Sequence, residues 1–411
     1  MAVRGTASVP RVQVSGGPIR VALVTHSFDC GGIERAIAYL ANHLPRPPFE
    51  PYIVCLTTSG AAERWLERRV PVVQLFKPPH NDAAVVWRLA ETLKRFRTAI
   101  VHSHNWGTLV ECTLARRLAG TPVHVHSERG TVLGTLEEHG WRCRARAVAM
   151  RLALTQVDCV VSNARATAER VERLTGYPSR RVQVVPNGVP CPVRGDWDEL
   201  RRQVRAALGV DEETVVVGTV ARLDPVKNLG LLLEALALAR RQGAKVVGLI
   251  VGDGPERPKL ESMAAGLGLD RAAHFVGYCA ETGPYYAAMD VYANTSVSEG
   301  MSQAIVEAMA AGLPIVATAV GDTPRLIGQN GDCGCLVRSG DVAGFGTALV
   351  QLALHPARRR LLGHVSKRRY EELHSLAVMI DRYARLYADL LRSRSPAGAH
   401  RRAELLGVGK N

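Results

Sequence analysis

The chain has 411 residues, enough for two ordinary domains with cores of their own. A hydrophobic content of 47% with 22% charged residues excludes a disordered chain, and the absence of any run of about 18 apolar residues argues against a membrane-spanning helix. The formal charge of +14 and a pI near 9.7 favour acidic partners, whether phosphates, anionic lipid heads or nucleic acid, without choosing among them.

Residues 1–17 read as a flexible lead-in without an apolar signal core. Ile19 to Thr25 then reads as a strand and Ile33 to Leu44 as the helix after it. Tyr52–Leu56, Val72–Leu75, Ala99–His102, Val123–His126 and Cys159–Val161 are further strand candidates. A turn-rich segment, Val185 to Pro192, separates this series from a second one. That second series runs through Thr214–Val220, Val246–Val251, Ala273–Val276, Val291–Ala293 and Ile315–Ala317, with helices such as Leu229–Arg241 and Ser302–Ala311 between. Apolar β-branched runs alternating with helical stretches predict parallel sheets. The expected organisation is α/β: two Rossmann-like doubly wound domains, 18–190 and 191–375, facing across a cleft at their strand ends. A closing helix, 376–393, is expected to cross back to the first domain, and 394–411 reads as a flexible basic tail. Nine scattered cysteines, only Cys333 and Cys335 close together, read as reduced structural thiols in a cytoplasmic protein.

The most informative stretch is Ser298 to Pro314. Ile305, Ala308, Met309 and Gly312 recur at helical spacing, Ser302 suits an N-cap, and Gly312 before Pro314 is a stop. Glu299 therefore sits on the loop feeding a helix start, where backbone N–H groups favour an anion. Glu307 lies nearly two turns in, on the face of Gln303. Two acceptors flanking an anion-binding helix start suit a ligand with hydroxyls at both ends and phosphate in the middle, which describes a nucleotide-sugar.

Other residues point the same way. Arg222 leaves the end of one strand and Lys227 stands where the next helix begins, so both cations are expected to reach one place and hold phosphate. Gly31-Gly32 follows the first strand and leaves amides free for a ligand oxygen, although it is not a GxGxxG fingerprint. Gly252 and Gly254 end one strand and Val276-Gly277 the next, where backbone groups can hold a base or ribose. His102 and His104 share one strand face, as do His124 and His126. No carboxylate or thiolate completes a metal site, so no metal is expected, and His126 is the candidate to meet a reacting sugar. Around Trp141, Arg142, Arg144, Arg146 and Arg151 interleave with Val148, Met150, Leu152 and Leu154. Both a solvated helix face and a basic surface against anionic lipid fit that pattern.

Taken in order, Gly31-Gly32, Pro186-Asn187-Gly188-Val189, Arg222 to Lys227 and Glu299 to Glu307 resemble the retaining glycosyltransferases of family 4, over residues 19 to 390. The resemblance implies the GT-B fold, a nucleotide-diphosphate sugar as donor, no bound metal or other cofactor, and retention of anomeric configuration. It implies that Arg222 and Lys227 neutralise the donor diphosphate. Glu299 would orient the sugar hydroxyls and Glu307 bind the ribose, while Met301 and Ser302 lend amides at the helix start. Gly31-Gly32 would lie against the diphosphate and the acceptor. One departure stands out: many relatives carry a His directly before the glycine that here is Gly130, and this chain has Arg129, so either His126 takes that role or Arg129 substitutes.

The implied reaction moves a sugar to a hydroxyl of a glycan or lipid-linked acceptor, as in exopolysaccharide or cell-envelope synthesis, by a protein that is cytoplasmic or peripheral at the inner membrane face. A nucleotide-sugar epimerase of the same fold is the nearest rival. A basic nucleic-acid-binding protein is a more distant rival; with 5% aromatic residues and no recognised motif, nucleic acid is not an expected partner.

Overall fold

The structure, a computed structural model, describes residues 17–29, 31–79, 82–129 and 140–394, without the Arg142 side chain. The lead-in before Gly17, Gly130 and the tail beyond Arg394 lie outside the described residues. Tertiary contacts divide the chain into two units, with boundaries at Asn187/Gly188 and Leu376/Ala377.

The first unit is built on a seven-stranded sheet. Its strands are β1 Ile19–Thr25, β2 Phe49–Cys55, β3 Val72–Gln74, β4 Ile100–His104, β5 Val123–Glu128, β6 Cys159–Ser162 and β7 Val182–Val184. The order is β3-β2-β1-β4-β5-β6-β7 and every pairing is parallel. Such strands are covered on both faces, and β1, β4 and β5 are buried along almost their whole length. Because parallel crossovers are right-handed, the helices Ala84–Arg95, Trp106–Ala119, Trp141–Leu154 and Arg165–Thr175 fall on one face of the sheet, packed side by side.

The last helix, Leu376–Arg394, covers part of the other face of the same sheet. It buries Met379, Tyr383, Leu386 and Tyr387, each worth about 1.5–3 kcal/mol when fully removed from water. Tyr387 meets Phe49 edge-on with ring centroids 5.9 Å apart.

The second unit has a six-stranded parallel sheet of the same design: β8 Val215–Val220, β9 Val246–Val251, β10 Ala273–Gly277, β11 Val291–Asn294, β12 Ile315–Thr318 and β13 Gly334–Val337, ordered β10-β9-β8-β11-β12-β13. In each unit the strand order reverses once, between β1 and β4 and between β8 and β11. Outside the carboxyl ends of the strands at that point, doubly wound sheets bind their ligands. Two strands, β7 and β13, were not among the sequence expectations. All cysteines among the described residues are free thiols, and no described helix is long and apolar enough to cross a membrane.

Candidate active site

At the reversal point of the second sheet, β8 runs out into Ala221–Asp224 and a single 3-10 turn, Pro225–Lys227. Asn228, in the left-handed region at φ 45°, turns the chain into the helix Leu229–Arg241. The strand alongside, β11, exits through Thr295 and Ser296 towards Glu299. The two exits are sewn together: the Thr295 hydroxyl donates to the Lys227 carbonyl at 2.8 Å, and the Val297 amide to the Val226 carbonyl at 2.9 Å.

That stitching brings Lys227 Nζ to 2.6 Å from Glu299 Oε1, and the Ser296 hydroxyl donates to the same oxygen at 2.7 Å. The lysine side chain is 24% exposed and the carboxylate 11%. Gly321 backs the loop from behind. At φ 53° it takes a conformation that side chains avoid, and a Cβ there would run into the Glu299 carbonyl. The Ser302 side chain caps the helix Gln303–Ala310 by accepting from the Ile305 amide, with Met301 half-buried just before it. Glu307, one face around that helix, receives the Tyr286 hydroxyl at 2.9 Å.

Arg222 behaves differently. Its guanidinium is paired with Asp224, two residues along the same loop, and its side chain is 77% exposed. The expectation that both cations converge on one spot is therefore not met in this structure: a nearer carboxylate captures Arg222. The glycines of the neighbouring strand ends serve packing. A Cβ on Gly252 would strike the Ala221 carbonyl, and one on Gly254 would come within 2.6 Å of the Leu223 carbonyl. The Gly252 amide donates to Gly277 at the end of β10, where half-buried Val276 precedes it.

In the first unit, Gly31 is the extended N-cap of the helix Gly32–His43. Glu34 folds back against it, and burial pushes the Glu34 carboxyl above its ordinary range. The histidines occupy the two faces of the β4–β5 pair. His102 and His104 lie with ring centroids 4.1 Å apart at a tilt of 34°, and His102 is held by the Tyr387 hydroxyl and Ser127, both at 2.6 Å. On the other face the single Ser103 hydroxyl lies 2.8 Å from both His124 Nε2 and His126 Nδ1. With one proton, it donates to one ring and accepts from the other. Burial drives His102, His104 and His124 well below the usual imidazole value, so they are neutral.

His126 is fully enclosed, its second nitrogen 3.3 Å from Glu128. The strand spacing placed it correctly beside His124, but the face they share is interior, covered by helices. The residue at the strand exit is Arg129. Its guanidinium donates to Asn187 Oδ1 at 2.8 Å and to the Tyr383 hydroxyl at 2.7 Å, and lies 5.8 Å over the Tyr383 ring. Both partners are neutral, and its Nε has none among the described residues.

Sequence reasoning missed Tyr286, Thr295, Ser296 and Gly321, and in the first unit the largely buried pair Lys77–Glu111 at 2.6 Å. None has a periodic signature: Ser296 meets Glu299 within one irregular loop, and the others depend on partners well removed along the chain. Among the described residues no three His, Cys, Asp or Glu side chains gather in a way that could hold a metal ion.

Two family models match the chain, Glycosyltransferase Family 4 over residues 30–191 and Glycosyl transferases group 1 over residues 214–355. The D-inositol 3-phosphate glycosyltransferase of Geodermatophilus obscurus is 33% identical over 283 residues, 66% of this chain and 62% of that protein. The lipopolysaccharide core biosynthesis glycosyltransferase LpsE of Rhizobium meliloti is 32% identical over 236 residues, covering 56% of this chain and 64% of that one. The chain thus spans less than two thirds of the length of these curated relatives. Among solved structures, Anabaena Alr3699/HepE in complex with UDP shares the fold at a TM-score of 0.78 and 20% identity, over 90% of this chain and 100% of that one.

Proposed function

The chain belongs to the group 1 glycosyl transferases of family 4, with the GT-B fold, and from that premise we propose that it is a retaining glycosyltransferase. It takes a sugar from a nucleotide-diphosphate donor and places it on a hydroxyl of a glycan or lipid-linked acceptor. The observation that carries this reading is the Lys227–Glu299 pair, seated where the second sheet reverses its strand order. A cation and a carboxylate in contact there can part around a sugar diphosphate: the ammonium turns to phosphate and the carboxylate to sugar hydroxyls.

In this reading Lys227 and Arg222 offset the charge that builds on the leaving diphosphate, Arg222 swinging from Asp224 to do so. Glu299 orients the sugar, Glu307 takes the ribose hydroxyls, and the helix start at Met301-Ser302 faces phosphate oxygens. Gly252, Gly254, Val276 and Gly277 shape the loops around the base. The donor C1–O bond breaks to the diphosphate, and the acceptor oxygen bonds C1 on the same face. Its proton passes to the departing phosphate oxygen. No metal takes part. In the first unit we assign ligand contacts to Gly31-Gly32 and to Arg129. His126 is left out because it is enclosed, and it positions Glu128.

UDP in the HepE structure and the sugar transfer named for the relatives support a nucleotide-sugar donor. The test is a thermal-shift screen against UDP, GDP and ADP sugars, followed by transfer assays and determination of the product's anomeric configuration. No stabilisation by any of them, an inverted product, or loss of activity with chelator would overturn the corresponding part of the proposal.

A further inference from the structure

The helix Trp141–Leu154 carries four arginines and no acidic residue. Its core-facing side is conventional: Met150 and Leu154 are buried. On the opposite side Trp141, Val148 and Leu152 lie within about 40° of one another around the axis, and they are 75%, 58% and 58% exposed. A helix already anchored by one apolar face has no need of a second.

The neighbouring helices continue the pattern. Trp106–Ala119 packs against it on the same face of the sheet and exposes Leu114 and Leu118, and Ala84–Arg95, next in line, exposes Trp87. Half of the twelve exposed large hydrophobics among the described residues thus stand on three adjacent helices. On the helix Trp141–Leu154 charge is distributed to match, whereas on Ala84–Arg95 an exposed Glu91 stands one turn from Trp87. Arg88 and Arg116 elsewhere in this layer are paired with Asp82 and Asp158 at 2.6 and 3.0 Å. Arg144 and Arg151, which border the apolar stripe, are exposed and form no ion pair among the described residues.

We propose that the outer face of this helix layer docks onto an anionic lipid bilayer, with Trp141, Val148 and Leu152 entering the headgroup boundary and Arg144 and Arg151 meeting lipid phosphates. The inference does not depend on the transferase reading. Three helices of 12 to 14 residues lying side by side present a broad surface about 20 Å on an edge, suited to a membrane plane. Its aromatic and aliphatic tips, bordered by the exposed Arg144 and Arg151, match the chemistry of such a plane.

Flotation of the full chain with vesicles tests this without any sugar substrate. Vesicles of phosphatidylcholine with added phosphatidylglycerol carry the protein up, vesicles of phosphatidylcholine alone do so much less, and added salt releases it. Two exposed-site variants, W141S/L152S and R144E/R151E, each lower the bound fraction by about tenfold or more, with melting temperatures unchanged. Failure to float with anionic vesicles at low salt would overturn the proposal, as would variants that bind like the parent. A concentration-dependent dimer that W141S/L152S dissolves, without vesicle binding, would assign the face to a second copy instead.

Discussion

Lys227 and Glu299, 72 positions apart in the chain, meet at 2.6 Å with both side chains mostly buried. The contact balances the two charges against each other, so under the proposed function a donor diphosphate has to displace the carboxylate from the ammonium before it gains the full charge of Lys227. Lys227→Ala should lower kcat/KM for transfer by about 10²-fold or more, the scale of losing one preorganised electrostatic donor. Glu299 keeps the Ser296 hydroxyl as a donor, so the variant should stay folded, with a melting temperature lowered by the loss of its buried partner. Near-parental turnover would remove Lys227 from the proposed machinery.

Glu299→Gln separates the two roles. Freed of its counter-charge, Lys227 should bind the nucleoside diphosphate alone at least as well as in the parent, while transfer from the full sugar donor falls. Calorimetric titration with the diphosphate, set beside turnover, reads the split. A parallel loss of both would mean that the carboxylate only holds the loop together.

Tyr286→Phe removes a single hydroxyl that steadies Glu307 at 2.9 Å. A neutral donor to a charged acceptor is worth about 1.5–3 kcal/mol at most, so donor affinity should weaken by roughly tenfold with kcat nearly kept. A change in kcat without one in affinity would contradict a ribose-binding role for Glu307.

Arg129→Leu leaves the Asn187 amide oxygen and the Tyr383 hydroxyl without the guanidinium that joins them. The Tyr383 hydroxyl keeps Ser127 at 3.4 Å, so the cost is that of two lost charge-assisted hydrogen bonds, about 1.5–3 kcal/mol each. Urea unfolding should show that loss, and hydrogen exchange should rise in the middle of the helix Leu376–Arg394.

Three buried imidazoles set the response to acid. Burial is the first cause in each case, reinforced at His102 by His104, at His104 by Arg129 and at His124 by His126. Their folded pKa values lie below the unfolded value near 6.5, so the unfolded chain takes up protons first as pH falls. Stability is fully present above about pH 6.5 and declines below it, by up to about 1.4 kcal/mol per pH unit for each histidine. The urea midpoint should drop accordingly between neutral and mildly acidic pH, and His124→Asn should make that drop shallower. A flat profile would show that these rings are not neutral in the fold.

Much of this was readable from local pattern. Leu229–Arg241 and Val246–Val251 have the bounds that periodicity predicts, and Ser302 caps its helix, because a dense apolar period and a capping residue act over a few positions. Val182–Val184 and Gly334–Val337 escaped because their apolar runs are broken, by Gln183 in the one and by opening on Gly334 in the other, and run into turn-formers; equally short but unbroken runs such as Ile315–Thr318 did register. The site followed the same divide. Positions of Lys227, Glu299 and Glu307 along their elements were legible, while Tyr286, the partner of Glu307, was decided by tertiary packing; Asp224 beside Arg222 is a local pairing that the pattern of cations alone did not weigh. The alternation that put His124 and His126 on one face was sound. In a parallel sheet both faces are covered, so alternation alone cannot tell an enclosed histidine from a presented one.

The helix Leu376–Arg394 also fixes an order of events during synthesis. Tyr383 and Tyr387, which close over His102, Phe49 and Arg129, emerge only after the whole of Gly188–Leu376 has been made. At about 5–20 residues per second, the first unit waits roughly 10 to 40 seconds on the ribosome with that face of its sheet uncovered. Chaperone capture of the nascent chain is therefore expected to fall on β2, β4 and β5, whose Phe49, His102 and Ser127 this helix later meets.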